Sequence, residues 1–280
     1  MSIKAIIMDI DGTLVGKSQE ITPDTKEALK HVQEKGVTLV LASGRPINGM
    51  VHLAKELDMD KHHGLCVCYN GGRVVDNETN EIIFNQTMSV ETGKAILNHM
   101  KKFDVQPLIV KDKYAYVTDV YGATVTSKNG KSIFDHEAHD NKFLLCEVAD
   151  LAEFADYELN KILVVGEPDY LQEHNKEMYE PFTETCNAMV TAPFYYEYTD
   201  KGIDKVRALE ASLVKRGIKA EECMSFGDAQ NDISMIKWAK VGVAMGNASE
   251  ECKAAADEVT ASNEADGIAL SVKKHLAELF

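Results

Sequence analysis

Three short apolar runs constrain the first part of this chain more than any other feature. Ile6-Ile7-Met8, Val37-Thr38-Leu39-Val40-Leu41-Ala42 and Leu65-Cys66-Val67-Cys68-Tyr69 lack the strict alternation of a half-exposed strand. Such runs mark strands covered on both faces, as in parallel sheets. Between the first two, Thr22-Pro23 reads as an N-cap followed by proline at the first helical position. Ala28, Leu29 and Val32 form that helix's apolar stripe, and Gly36 ends it. Ile47, Met50, Val51, Ala54 and Leu57 recur at helical spacing between the second and third runs. The resulting β-α-β-α-β order predicts an α/β fold with a doubly wound, Rossmann-like parallel sheet. Ligands of such sheets bind beyond the carboxyl ends of the strands, where Asp9, Ser43 and Asn70 fall.

The α/β rhythm breaks after a hairpin predicted for Arg73–Asp76 and Glu81–Phe84, and returns from Gly202. Residues 86–195 mix short strands and helices, with a polar, weakly periodic stretch at 122–142. The expected organisation is therefore a core made of residues 1–85 and 196–280, with residues 86–195 inserted as an α+β domain.

Composition narrows the function. Thirty Lys and Arg against 45 Asp and Glu give a net charge of −15, which disfavours nucleic acid and anionic membrane surfaces. No apolar stretch approaches the roughly 18 residues of a membrane span. With a strand expected almost directly after Met1, no secretory leader is expected, and the six scattered cysteines lead to the expectation of a reducing cytoplasm. An anionic substrate would need a local cation.

The chemistry gathers at strand ends. Asp9-Ile10-Asp11-Gly12-Thr13 places two carboxylates at i and i+2, so Asp9 and Asp11 are expected to project together from the end of a buried strand. Gly227-Asp228-Ala229-Gln230-Asn231-Asp232 follows another apolar run. Acidic groups converging at one sheet edge suit Mg²⁺, a hard cation that prefers oxygen ligands. Lys205 opens a helix carrying Val206, Leu209 and Leu213, and Ser43 precedes Gly44. Together these groups supply what phosphoryl transfer needs: a carboxylate nucleophile, a neighbouring acid/base, a metal and donors for charged oxygens.

Asp9-Ile10-Asp11-Gly12-Thr13, Ser43-Gly44-Arg45-Pro46, Lys205 and Gly227–Asp232 resemble, in order, the four motifs of the haloacid dehalogenase (HAD) superfamily. Tyr69-Asn70-Gly71-Gly72, Gly246-Asn247-Ala248 and Asn263…Asp266-Gly267-Ile268 are similar to its Cof-type branch, subfamily IIB. The resemblance implies an Mg²⁺-dependent phosphatase acting on small phosphorylated metabolites, with residues 86–195 as a C2B-type cap. It implies that Asp9 attacks phosphorus and that Asp11 moves the protons. It also implies that Asp9, the Asp11 carbonyl and Asp228 hold the metal. Ser43, the backbone at Ile10 and Gly44, Lys205 and Asn231 would bind the phosphoryl oxygens, and Asp232 would orient Lys205 or a metal-bound water. One departure is Val206, where the family commonly has glycine. A phosphomutase and a non-catalytic phosphate- or metal-binding regulator on the same fold are the alternatives.

Overall fold

The structure is a computed structural model describing residues 3–123, 125–126, 130 and 132–280. Five positions of the polar stretch 122–142, namely 124, 127–129 and 131, lie outside the described residues. The strands in chain order are β1 Ala5–Met8, β2 Thr38–Ala42, β3 Leu65–Cys68, β4 Arg73–Asp76, β5 Ile82–Asn85, β6 Gln106–Lys111 and β7 Tyr114–Val117. They continue with β8 Leu144–Glu147, β9 Lys161–Val165, β10 Cys186–Ala192, β11 Tyr195–Asp200, β12 Cys223–Gly227, β13 Val241–Ala244 and β14 Glu258–Val259.

The chain divides into two units, residues 1–85 with 204–280, and residues 86–203. The first holds an eight-stranded sheet in the order β14-β13-β12-β1-β2-β3-β4-β5. Its strands are parallel from β14 to β3, and the β4–β5 hairpin adds two antiparallel strands at one edge. The first three runs are buried on both faces because successive side chains feed different cores. Ile6, Met8, Leu39 and Leu41 pack with Leu29, Val32 and Val272 from helices Pro23–Glu34 and Gly267–His275. Ala5, Ile7, Val40 and Ala42 pack with Ala208, Leu209 and Leu213 from helix Lys205–Leu213. This unit is α/β, with the doubly wound, Rossmann-like arrangement.

The second unit is α+β, with a sheet ordered β10-β11-β9-β6-β7-β8, antiparallel except for the β7–β8 pair. Ending the insertion at residue 195 is corrected here. β11 pairs with both β9 and β10 as far as Thr199 and Asp200, so the whole strand belongs to this unit, which runs to Ile203. The alternating Tyr196 and Tyr198 side chains anchor it in the unit's core.

The β4–β5 hairpin is fastened by Asp76, which is buried. Its Oδ1 accepts the backbone N–H groups of Glu78 (2.8 Å) and Thr79 (3.1 Å). Its Oδ2 accepts from Arg216 Nη2 at 2.6 Å and lies 3.1 Å from His63 Nδ1. Burial alone would raise this carboxyl, but those donors outweigh it and hold its pKa below the ordinary value. A depressed native pKa stabilises the fold above the unfolded-state value and loses that contribution as pH falls through the native one. Urea midpoints of the wild type should therefore fall more steeply below about pH 4 than those of Asp76→Asn. Parallel curves for the two proteins would contradict this.

Candidate active site

β1 ends at Met8, and the chain enters a tight turn at once. The Ile10 carbonyl accepts the N–H groups of Leu14 and Val15, both at 3.0 Å. Gly12 turns at φ +85°, and a Cβ there would stand 2.4 Å from Asp228 Oδ2. Only glycine therefore suits both the backbone angle and the space. Two later asparagines pin this turn. Asn247 donates to the Gly12 carbonyl at 2.7 Å and Asn263 to the Val15 carbonyl at 2.9 Å. Their place in the chemistry could be read from sequence only as part of a resemblance, since each lies over 230 residues from the carbonyl it holds.

The turn separates the two N-terminal carboxylates, correcting the expectation that they project together. Strand alternation no longer applies beyond Met8. Asp9 is buried and faces Lys205, whereas the Asp11 side chain is about half exposed and faces Arg45. Arg45 Nε donates to Asp11 Oδ2 at 2.8 Å and Nη2 to Oδ1 at 2.5 Å. Nη2 also reaches Gln19 Oε1 at 2.5 Å. No role for Arg45 was legible from sequence beyond its place in the Ser43–Pro46 motif.

Lys205 is the hub. Its helix is capped by Asp204, whose carboxylate accepts the Val206 N–H at 2.7 Å. That start is regular, so valine meets no conflict there. The lysine side chain is 1% exposed. Its Nζ donates to Asp9 Oδ1 (2.7 Å), Asp232 Oδ1 (2.6 Å) and the Ala42 carbonyl at the end of β2 (2.8 Å). Burial opposes its charge, but Asp9 and Asp232 outweigh that and raise its pKa. Desolvation pushes Asp9 above the usual carboxylate range, and Lys205 pulls against it.

Asp232 is held by three hydrogen bonds. Its Oδ1 takes the lysine and its Oδ2 accepts the N–H groups of Asp228 and Ala229, both at 3.0 Å. Asp228 sits just past β12, and Thr13 Oγ1 donates to its Oδ1 at 2.7 Å. Burial raises the Asp228 carboxyl despite that bond. Single oxygens of Asp9, Asp228 and Asp232 all lie within 4.8 Å of one another. Three carboxylates thus face one ammonium, an excess of negative charge that a divalent cation would balance. All the donors are hard oxygens, which fits Mg²⁺ better than a softer metal. Asp232 accepts three hydrogen bonds against one each for the side chains of Asp9 and Asp228, so those two have the most open lone pairs.

The remaining predicted residues lie at the same sheet edge. Ser43 follows β2, is buried, and accepts the Arg45 N–H on its Oγ at 3.2 Å. Gly44 follows it, Ile10 lies in the turn after Asp9, and Asn231 is exposed on the short helical turn after Asp228. Asn231 Nδ2 donates to Asn70 Oδ1 at 3.1 Å.

Comparison with known proteins gives the family and the fold. The sequence model of the haloacid dehalogenase-like hydrolases matches residues 6–271. A haloacid dehalogenase-like hydrolase from Bacteroides thetaiotaomicron superposes with a TM-score of 0.90 at 32% identity, over 98% of this chain and 99% of that one. A sugar phosphatase of HAD subclass IIB gives a TM-score of 0.79 at 32% identity, over 99% and 100% of the two chains. The pyridoxal phosphate phosphatase YbhA of Escherichia coli is 26% identical over 99% of this chain and all of its own length. The chain belongs to the haloacid dehalogenase-like hydrolases, in their Cof-type branch, a family of phosphoric monoester hydrolases. Among the described residues no helix is long and apolar enough to cross a membrane.

Proposed function

We propose that this enzyme hydrolyses small phosphate monoesters, sugar phosphates foremost, through an aspartyl-phosphate intermediate on Asp9. The observation that carries this reading is the buried Lys205 Nζ, shared between Asp9 and Asp232 at the carboxyl edge of the parallel sheet. The ammonium fixes the Asp9 carboxylate in one orientation, leaving its other oxygen to attack phosphorus. The bond from phosphorus to the ester oxygen breaks as the bond to Asp9 forms. Asp11 gives a proton to the departing alcohol and then takes one from the water that hydrolyses the acyl phosphate.

Ser43, Asn231, Lys205 and the backbone at Ile10 and Gly44 bind the phosphoryl oxygens. Asp9, Asp228 and the Asp11 carbonyl would hold Mg²⁺, which would supply charge neutralisation on the phosphoryl group. Residues 86–203 serve as the cap that selects the leaving group. Relatives named for sugar, pyridoxal phosphate and HMP-PP substrates support small metabolites as the substrate class.

The test is phosphate release from a panel of sugar phosphates and pyridoxal phosphate, with Mg²⁺ or with EDTA. Release should vanish in EDTA and return with added Mg²⁺. Undiminished release in EDTA, or an isomerised sugar phosphate in place of free phosphate, would contradict the proposal.

A further inference from the structure

Directly after β3 the backbone does something costly. Tyr69, Asn70 and Gly71 all have positive φ, at 55°, 56° and 110°. Two consecutive non-glycine residues in the left-handed region carry a steric penalty that persists only where the surroundings enforce it. Here they do. The Tyr69 N–H donates to the Arg45 carbonyl at 3.1 Å and the Asn70 N–H to the Ser43 carbonyl at 2.9 Å. Gly71 lets the chain pass the backbone of Asp204, whose carbonyl oxygen would lie 2.2 Å from a Cβ. The turn is therefore clamped between the Ser43 loop and the start of the Lys205 helix.

Glycine would adopt the Asn70 backbone angle without penalty. The chain instead keeps an amide there, and that amide faces the residues assigned to the phosphoryl group. Asn70 Oδ1 accepts from Asn231 Nδ2 at 3.1 Å, which fixes that side chain and leaves its second N–H for another acceptor. A Cβ on Gly44 would lie 3.1 Å from Asn70 Nδ2, so the Asn70 amide group lies over the Gly44 backbone. Among the described residues Nδ2 has no hydrogen-bond acceptor. A neutral donor at this edge adds attraction for an anion without another carboxylate's repulsion.

The geometry points to Asn70 as a further phosphate-binding residue: its Nδ2 donates to the phosphoryl group, and its Oδ1 orients Asn231 toward the same group. The inference rests on the phosphatase reading and names one more residue for it.

The test compares Asn70→Gly, Asn70→Ala and Asn70→Asp with the wild type in Mg²⁺. Three quantities are read: kcat and KM for one sugar phosphate, Ki for inorganic phosphate, and Tm. Asn70→Gly relieves the backbone, so its Tm should equal the wild-type value or exceed it by ~1–3 °C. Its kcat/KM should nevertheless fall by roughly 10- to 100-fold, mostly through KM, with a parallel rise in Ki. Asn70→Ala should lose as much activity and also lower Tm. Asn70→Asp keeps the shape but removes the donor and adds repulsion, and should lose the most.

Wild-type kcat/KM and Ki in Asn70→Gly would overturn the inference, as would losses that merely track Tm across the three variants. A wild type that releases no phosphate would count against the phosphatase reading instead. Phosphate-induced stabilisation of wild type against Asn70→Gly would then still decide whether Asn70 binds phosphate.

Discussion

Asp9→Asn should lower turnover by roughly 10⁴- to 10⁶-fold, the scale seen when a nucleophile is removed from an otherwise intact site. The asparagine amide keeps the shape of the aspartate but cannot form the acyl phosphate. The fold should survive the change. Desolvation already disfavours the Asp9 carboxylate, and Lys205 keeps Asp232 and the Ala42 carbonyl as acceptors. Phosphate release and thermal unfolding of the purified variant read the two halves of this expectation. Residual activity within about tenfold of wild type would remove Asp9 from the covalent step.

Lys205→Met should damage both stability and turnover. The methionine fills the space of the alkyl stem but leaves Asp9 and Asp232 buried without their shared cation. Removing one partner of a buried ion pair costs about 3–5 kcal/mol, because the remaining charge is uncompensated. A large fall in the urea midpoint is therefore expected, along with a loss of roughly 10²- to 10³-fold in turnover of the folded fraction. Wild-type stability in this variant would mean that the two carboxylates carry no charge together in the folded protein.

These effects differ because the groups were legible to different degrees. The parallel strands were clear in sequence because burial on both faces removes polar residues from them, as in Val37 to Ala42. β8 has no clear signature in the sequence: Leu144 is 54% exposed, and the strand follows a polar stretch. The two-residue strand β14 offers too little sequence for any pattern. The end of the insertion was misplaced because β11 alternates as any strand does, and only its pairing with β9 shows which sheet it joins.

At the site, Lys205 lies 196 residues from Asp9, and no spacing rule connects them. The resemblance to a known family supplied that link. Local reasoning failed at Asp11, where i, i+2 alternation was extended past the end of the strand into a turn. The fork from Arg45 was beyond sequence reasoning, because a guanidinium two residues after a serine has many possible partners.

The central claim is that Asp9 carries the phosphoryl group. It is tested most directly by trapping the acyl phosphate. Asp11→Asn should still be phosphorylated by an aryl phosphate, whose leaving group needs no proton, but should release water-derived phosphate slowly. Quenching with borohydride reduces an aspartyl phosphate to homoserine, and peptide mapping locates it. The account predicts homoserine at position 9, only when substrate was present. Homoserine at another aspartate, or multiple turnovers with residue 9 always recovered as aspartate, would contradict it.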